Sequence, residues 1–154
     1  MESIIDRYYN LSVQGSKEDW FSGEISIKWY EYIFELSLKL RITYLVTILH
    51  NQVFNGGFDQ YFINGYGQFS LLTIRALLDI EAYEKAFIVQ KAYDSVNEDK
   101  LDDQFFRNKL LKKQIKGLFD DDKLIDELDL LSDEYYETEN KVKILDLLTK
   151  YLKK

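Results

Sequence analysis

The chain contains no proline, so it lacks the residue that most reliably interrupts a helix or a strand. Seven glycines are left as the main breaks in the sequence. Between them, apolar residues recur mostly at spacings of three and four, which is the period of an α-helix. Strand-like alternation is confined to one short stretch, residues 24–28. The pattern therefore predicts an all-α protein, a single compact domain of about seven to eight helices.

The glycines and the apolar spacing also place the main parts of the chain. Residues 1–35 are predicted to form an N-terminal helical extension, packed on a helical domain that spans residues 36–154. Ser37 is expected to cap the next helix through its hydroxyl. That helix is expected to stop at Asn55-Gly56-Gly57. Other helices are predicted over residues 2–11, 25–35, 105–118, 123–136 and 141–152. A short helix that bears Phe58, Tyr61 and Phe62 is expected to end near Gly65, and two more are marked by the apolar residues of 71–78 and 82–93.

Composition disfavours several classes of function. The 154 residues carry 27 acidic and 20 basic side chains, a net charge of −7, which argues against direct binding to nucleic acid. The absence of cysteine excludes thiolate chemistry and cysteine-ligated zinc, and His50 is the single histidine. We therefore expect no enzyme, no catalytic residue, no metal and no cofactor.

The location of the protein is predicted from its apolar segments. The most apolar stretch, residues 42–49, is much shorter than the roughly 20 residues that a membrane span requires. The first residues include acids and lack the long apolar core of a signal peptide. We expect a cytoplasmic protein that does not contact membranes.

The most distinctive stretch combines aromatic side chains, amides and glycines. It reads Asn55-Gly56-Gly57-Phe58-Asp59-Gln60-Tyr61-Phe62-Ile63-Asn64. Asn-Gly-Gly suits a helix end, where a residue with positive φ closes the last turn. The favoured interpretation is that this stretch shapes the fold. The alternative is a polar pocket for a small ligand at Asn55, Asp59 and Gln60.

This stretch resembles the signature of a bacterial domain family, largely of unknown function, whose named members are DNA-mimic proteins of the DMP type. The resemblance covers about residues 36–154. Further matching segments are Leu36-Ser37, residues 76–82, residues 131–136 and Tyr151. Two positions depart from the family pattern, because we would expect an acid where Gln52 stands and a glycine where Glu81 stands.

The resemblance implies a helical fold. For DNA-mimic members it also implies acidic side chains that occupy the DNA-binding surface of another protein. The signature is expected to determine the fold, since mimicry would reside in surface acids outside it. The signature residues concerned are Asn55, Gly56, Gly57, Phe58, Asp59, Gln60, Phe62 and Asn64.

The acidic side chains are concentrated in one third of the chain. Residues 94–139 carry 15 acids and seven bases, whereas residues 140–154 carry one acid and five bases. Five acids are spaced by three or four residues and form one continuous stripe if the segment is helical. These five, the acidic stripe, are Asp122, Asp126, Asp129, Asp133 and Glu137. Acids that would extend this surface are Asp99, Asp102, Asp103, Asp120 and Asp121.

The leading hypothesis is a non-enzymatic binding protein whose acidic stripe mimics DNA and engages a basic, DNA-binding partner protein. One alternative is an immunity or adaptor-type module that recognises a protein by shape, without mimicry. A small-ligand-binding helical domain is another. Most acidic runs are ordinary solvated helix faces, so that interpretation of the stripe also stays open, as does a homodimer.

Overall fold

The computed structural model describes residues 1–21, 25–119 and 122–154. These residues form eight α-helices and two short 3-10 helices, with no strand among them, which confirms the predicted all-α class. The helices are α1 (Ile4–Val13), α2 (Ile27–Glu35), α3 (Leu38–Ile63), α4 (Ser70–Asp79), α5 (Tyr83–Val96), α6 (Asp103–Leu111), α7 (Asp122–Lys141) and α8 (Ile144–Leu152). The 3-10 helices are Glu18–Trp20 and Tyr66–Phe69.

Helix α3 is the central element, and α1, α4 and α7 pack on it. Its first part buries Ile42, Leu45 and Leu49, which lie on one side of the helix at the predicted spacing. The chain does not leave the helix at the Asn-Gly-Gly segment. Instead α3 kinks there and continues to Ile63, so the predicted stop is a bend between two helical halves.

The N-terminal segment is integrated into the core through its aromatic side chains. Trp29 is buried, and its indole Nε1–H donates a hydrogen bond of 2.9 Å to the Tyr44 hydroxyl of α3. Tyr9 of α1 stacks on the same Tyr44 ring. These contacts place aromatic side chains of α1 and α2 against α3.

Two helix limits differ from the prediction because tertiary contacts and local backbone geometry decide them. Helix α6 ends at Leu111 rather than near residue 118, and Lys113 follows with a φ of 58°, a left-handed conformation that its residue type does not signal. Helix α7 continues past Tyr136 to Lys141, although no apolar period extends that far. There Thr138 is buried and Glu139 pairs with Lys85 of α5.

The start of α3 is also only partly as predicted. Ser37 occupies the N-cap position, but its side chain makes no capping hydrogen bond. Its carbonyl instead accepts the first bond of the helix, from the N–H of Arg41 at 2.9 Å. The expected hydroxyl bond was therefore wrong, while the expected start of the helix was correct.

Candidate functional site

All five acids of the acidic stripe lie on the solvent-exposed side of α7. The opposite side of the helix is apolar and packs into the core through Leu124, Leu128, Leu131 and Tyr135. At a rise of 1.5 Å per residue, the stripe is about 22 Å long. The 3.6-residue period thus sorts α7 into a buried face and an acidic face, as the sequence predicted for these residues.

The carboxylates of the stripe lie apart from the ion pairs formed among the described residues. Within residues 1–21, 25–119 and 122–154, none of the five takes part in an ion pair. The ion pairs of α7 use Glu134, Glu139 and Lys141, which lie off the stripe. The stripe therefore keeps its negative charge available to a partner.

Asp129, at the centre of the stripe, has a raised pKa. Partial burial is the first cause that raises the pKa of the Asp129 carboxyl above its usual range, and the carboxylate of Asp59 is the second. Asp126 and Asp133, its neighbours on the same helix face, add to the rise. The carboxylates of Asp59, Asp126 and Asp133 are therefore close enough to Asp129 for their charges to repel its own.

Asp59 reaches this surface because α3 bends at Gly57. Gly57 has φ 81° and ψ −178°, a combination open essentially to glycine alone. A Cβ atom at Gly57 would lie 2.8 Å from Asp59 Oδ1 and 3.0 Å from Ser132 Oγ. The glycine therefore permits both the bend and the close approach of α3 to α7.

The bend is fixed by a side chain of α7. The backbone N–H of Phe58, the first residue after the kink, donates a hydrogen bond of 2.9 Å to Ser132 Oγ. The Ser132 hydroxyl in turn donates to the Leu128 carbonyl at 2.9 Å. Near the same place the Tyr136 hydroxyl donates to the Val53 carbonyl at 2.6 Å. The signature segment thus holds α7 at the level of Asp129 and Asp133.

Asp59 belongs to the acidic surface, although from the sequence it was assigned only to the signature. Its Oδ1 atom is enclosed by protein and has no hydrogen-bond partner among the residues the structure describes. Its charge also contributes to the raised pKa of Tyr136, after burial and the charge of Asp133. Asp59 is the only acid of the signature, and that was the available clue to a role beyond the fold.

The amides of the signature bond mainly to one another across the bend. Gln52 Oε1 accepts hydrogen bonds of 3.1 Å from Gln60 Nε2 and from Asn64 Nδ2. Asn55 Nδ2 lies 3.5 Å from Gln60 Oε1. These contacts agree with a structural role for the amides. They also account for Gln52 at a position where the family pattern has an acid. The Gln52 side chain accepts both bonds through its oxygen, as a carboxylate oxygen could.

Three of the additional acids named from the sequence make local contacts of their own. Asp102 caps α6 by accepting a hydrogen bond of 3.1 Å from the Phe105 N–H. Asp103 is half-buried and pairs with Arg107 at 2.7 Å. Asp99 shares a small surface groove with Lys109 and Lys116. Asp120 and Asp121 lie outside the described residues.

A second group of ionisable side chains is buried where α5, α7 and α8 meet. Lys85 is only 3% exposed, and its Nζ lies 3.0 Å from Glu139 Oε1. The same oxygen accepts a hydrogen bond of 2.6 Å from the Ile144 N–H at the start of α8. Burial lowers the pKa of Lys85. Because Glu139 joins all three helices, we interpret this pair as a structural tie.

His50 lies beside this tie. Its ring contacts Phe54 and Tyr135, and its Nδ1 atom is buried without a hydrogen-bond partner among the described residues. Burial is also the main cause that lowers the pKa of His50. In the described part of the chain, no three His, Asp or Glu side chains are grouped to hold a metal ion.

Comparison with known proteins gives one match. A family model described as DMP19-like protein matches residues 34–154 and so covers the signature and the acidic stripe. No curated protein and no solved structure matches the chain. No helix in the described ranges combines the length and the apolar character that a membrane span needs.

Proposed function

The chain belongs to the DMP19-like protein family, and on that premise we propose that it is a non-enzymatic protein that mimics DNA. In this proposal the acidic face of α7, joined by Asp59, occupies the DNA-binding surface of a basic partner protein. The observation that carries the proposal is the row of exposed carboxylates, none of them in an ion pair with a described residue.

The electrostatics of the stripe support a charged partner. Like charges three or four residues apart on a helix cost about 0.2–0.5 kcal/mol per pair. An ordinary solvated face reduces this cost with interspersed lysines, whereas only Lys123 stands among these acids. Lysine and arginine side chains of a partner would relieve the repulsion at Asp129, where burial and three carboxylates raise the pKa.

The spacing of the acids approaches that of a DNA strand only when the acids of both α3 and α7 are counted. The stripe alone supplies a carboxylate about every 5.6 Å, whereas a DNA strand advances about 3.4 Å per phosphate. Asp59 lies beside the stripe, and Glu127 is a further exposed acid on α7. These side chains increase the density of negative charge towards that of a nucleic acid strand.

The experiment tests whether the protein competes with DNA. The chain is immobilised and incubated at low salt with a nuclease-treated bacterial lysate, and captured proteins are identified and purified. Each is then bound to a fluorescent duplex, and displacement by the chain is followed by anisotropy. We expect displacement of the duplex. Capture of no DNA-binding protein, or a complex in which the duplex stays bound, would contradict the proposal.

A matched pair of variants assigns the effect to α7. Changing Asp126, Asp129 and Asp133 together to Asn is expected to abolish displacement. Changing Glu18, Glu31 and Glu35 together to Gln removes the same number of exposed charges from the N-terminal segment and is expected to leave displacement intact. Equal effects of the two triple variants would indicate that only net charge matters.

The same experiment separates the adaptor alternative from mimicry. A module that recognises its partner by shape would bind without displacing DNA, and its binding would tolerate salt because apolar contacts are not screened. Such a result, with the Asn triple variant still bound, would assign the chain to that second class.

A further inference from the structure

An apolar groove lies between α5 and α7 at the C-terminal end of the acidic stripe. Two adjoining cavities of about 500 Å³ and about 300 Å³ form it, and they share Tyr83, Glu84, Thr138 and Lys141 in their walls. Tyr83 and Phe87 stand one helical turn apart on α5 and are 60% and 65% exposed. The Lys91 Nζ atom lies over the Phe87 ring, 5.1 Å from its centre. Two exposed aromatic rings beside an apolar cavity are typical of a surface that binds another molecule.

The groove is continuous with the acidic stripe. Glu137, the last acid of the stripe, lines the larger cavity together with Glu134. The rim carries four carboxylates and two exposed ammonium groups, and the third lysine in the walls, Lys85, is paired with Glu139. The two exposed lysines pair with acids of the rim, Lys91 with Glu134 at 3.1 Å and Lys141 with Glu84 at 3.8 Å. This leaves two acids of the rim outside any ion pair among the described residues, Glu81 and Glu137. The four acids of the rim are Glu81, Glu84, Glu134 and Glu137. The surroundings of the apolar floor are therefore net negative.

We infer that this groove receives an apolar side chain from a basic helix of the partner protein, while the arginine and lysine side chains of that helix face the acidic stripe. The inference rests on the proposed function and names what the partner must present. Charge on the rim favours a cationic occupant. A second copy of this chain is the competing occupant, and the sedimentation measurement below decides against or for it.

The groove gives this surface a means of selection that charge alone lacks. An acidic stripe alone attracts basic proteins without distinguishing among them. A partner with a leucine or an aromatic residue next to its basic face would gain contacts in the groove that other basic proteins cannot make. Phe87 and Tyr83 would then determine specificity, while the acids would determine attraction.

The test uses two synthetic peptides of about 18 residues, cross-linked to stay helical and so about 27 Å long. Both carry arginine and lysine along one face. One peptide has two leucines four residues apart at one edge, and the other has alanines there. Binding to the full chain is measured by anisotropy. We expect Phe87→Ala to weaken the leucine peptide by about tenfold and the alanine peptide by less than about twofold.

Phe105→Ala is the control, because Phe105 is 64% exposed on α6 and lines neither cavity of the groove. It is expected to change neither affinity. Equal affinities of the two peptides for the unmodified chain, or equal losses with Phe87→Ala, would overturn the inference. So would sedimentation data in which the chain self-associates and Phe87→Ala makes it monomeric.

The two proposals fail in different ways. The Asn triple variant at Asp126, Asp129 and Asp133 should reduce the salt dependence for both peptides. If it does so while Phe87→Ala has no effect, the groove inference fails and the acidic surface stands. If displacement of DNA fails although the leucine peptide depends on Phe87, the proposed function fails and the groove is a binding site of another kind.

Discussion

Ser132 of α7 accepts a hydrogen bond of 2.9 Å from the backbone N–H of Phe58, the first residue after the bend in α3. Ser132 lies between two acids of the stripe, Asp129 and Asp133. The bond joins the most recognisable segment of the sequence to the helix that presents the acids. In this account, the signature braces the acidic face and adds Asp59 to it.

Ser132→Ala tests the brace. Removing the hydroxyl leaves the Phe58 N–H buried without its acceptor, and an unsatisfied buried donor costs about 1–3 kcal/mol. We expect the free energy of unfolding, measured by urea titration, to fall by that amount. Thr149→Ala is the control, because the Thr149 hydroxyl bonds only within its own helix at Leu145. Equal, small losses in both variants would show that the Phe58 bond contributes little.

Glu81→Gly is expected to stabilise the protein. Glu81 has a φ of 64° at the end of α4, where the Ala82 N–H donates to the Leu77 carbonyl and the Glu81 N–H to the Leu78 carbonyl. This arrangement is the Schellman motif, in which glycine is the preferred residue. The gain expected is about 0.5–1 kcal/mol.

The control for that gain is Glu31→Gly in α2, at an exposed helical position. Glycine within a helix costs about 1 kcal/mol, so the two substitutions should change the midpoint of thermal unfolding in opposite directions. A loss of stability in both would mean that Glu81 makes a favourable contact that outweighs its backbone strain.

Asp129→Asn is expected to stabilise the fold while it weakens binding. The pKa of Asp129 is raised, so the folded state favours its protonated form. The ionised carboxylate of Asp129 therefore destabilises the folded state. This effect appears as pH rises through the pKa and is fully present at neutral pH. Removing the repulsion from Asp59, Asp126 and Asp133 gains at most about 1 kcal/mol, and solvent screening reduces this value.

Asp146→Asn is the matched control for charge removal. Asp146 lies in the first turn of α8, and the lysines at positions 143 and 150 are three and four residues away from it. Its loss should destabilise slightly, because attraction to those lysines and to the helix dipole is removed. Stabilisation by Asp146→Asn equal to that by Asp129→Asn would indicate a general effect of net charge.

Because the pKa of His50 is lowered, we expect part of the free energy of unfolding to be lost in mild acid. Burial lowers the pKa of His50 below 6.5; the Glu139 charge opposes the shift and the Lys85 charge adds to it. The unfolded chain therefore binds the proton more tightly. The stabilisation from neutral His50 is complete above about pH 6.5 and declines as pH falls through that value towards the folded pKa.

The measurement compares the unmodified chain with His50→Gln in urea at a series of pH values from about 7 to about 5. As pH falls, the free energy of unfolding of the unmodified chain should decrease more than that of His50→Gln. The carboxyls that also titrate there are common to both proteins and cancel. A difference that stays constant with pH would contradict the prediction.

The sequence predicts α7 well because one period governs the whole helix. Acids and leucines alternate at spacings of three and four, so the exposed and buried faces follow from the residue types alone. The bend at Gly57 was also signalled, since Asn-Gly-Gly marks a left-handed backbone. The sequence also predicted a short helix after the bend, ending near Gly65, but not that this helix continues directly from the one before it.

The remaining features depend on contacts between distant residues. Nothing near Glu139 in the sequence indicates that Lys85 will be buried against it, and this contact accompanies the extra turn of α7. Asp59 meets Asp129 only after α3 and α7 pack together. The groove beside Phe87 needs two helices as well. Each of these relationships joins segments more than 40 residues apart.

The salt dependence of binding tests the central claim most directly. The measurement is the Kd of the chain for a DNA-binding protein whose duplex it displaces, from about 0.05 M to about 0.3 M KCl. We predict that Kd rises about tenfold or more over this range, and that the Asn triple variant at Asp126, Asp129 and Asp133 loses most of this rise. A Kd that is independent of salt, or a triple variant that keeps the full dependence, would contradict DNA mimicry by α7.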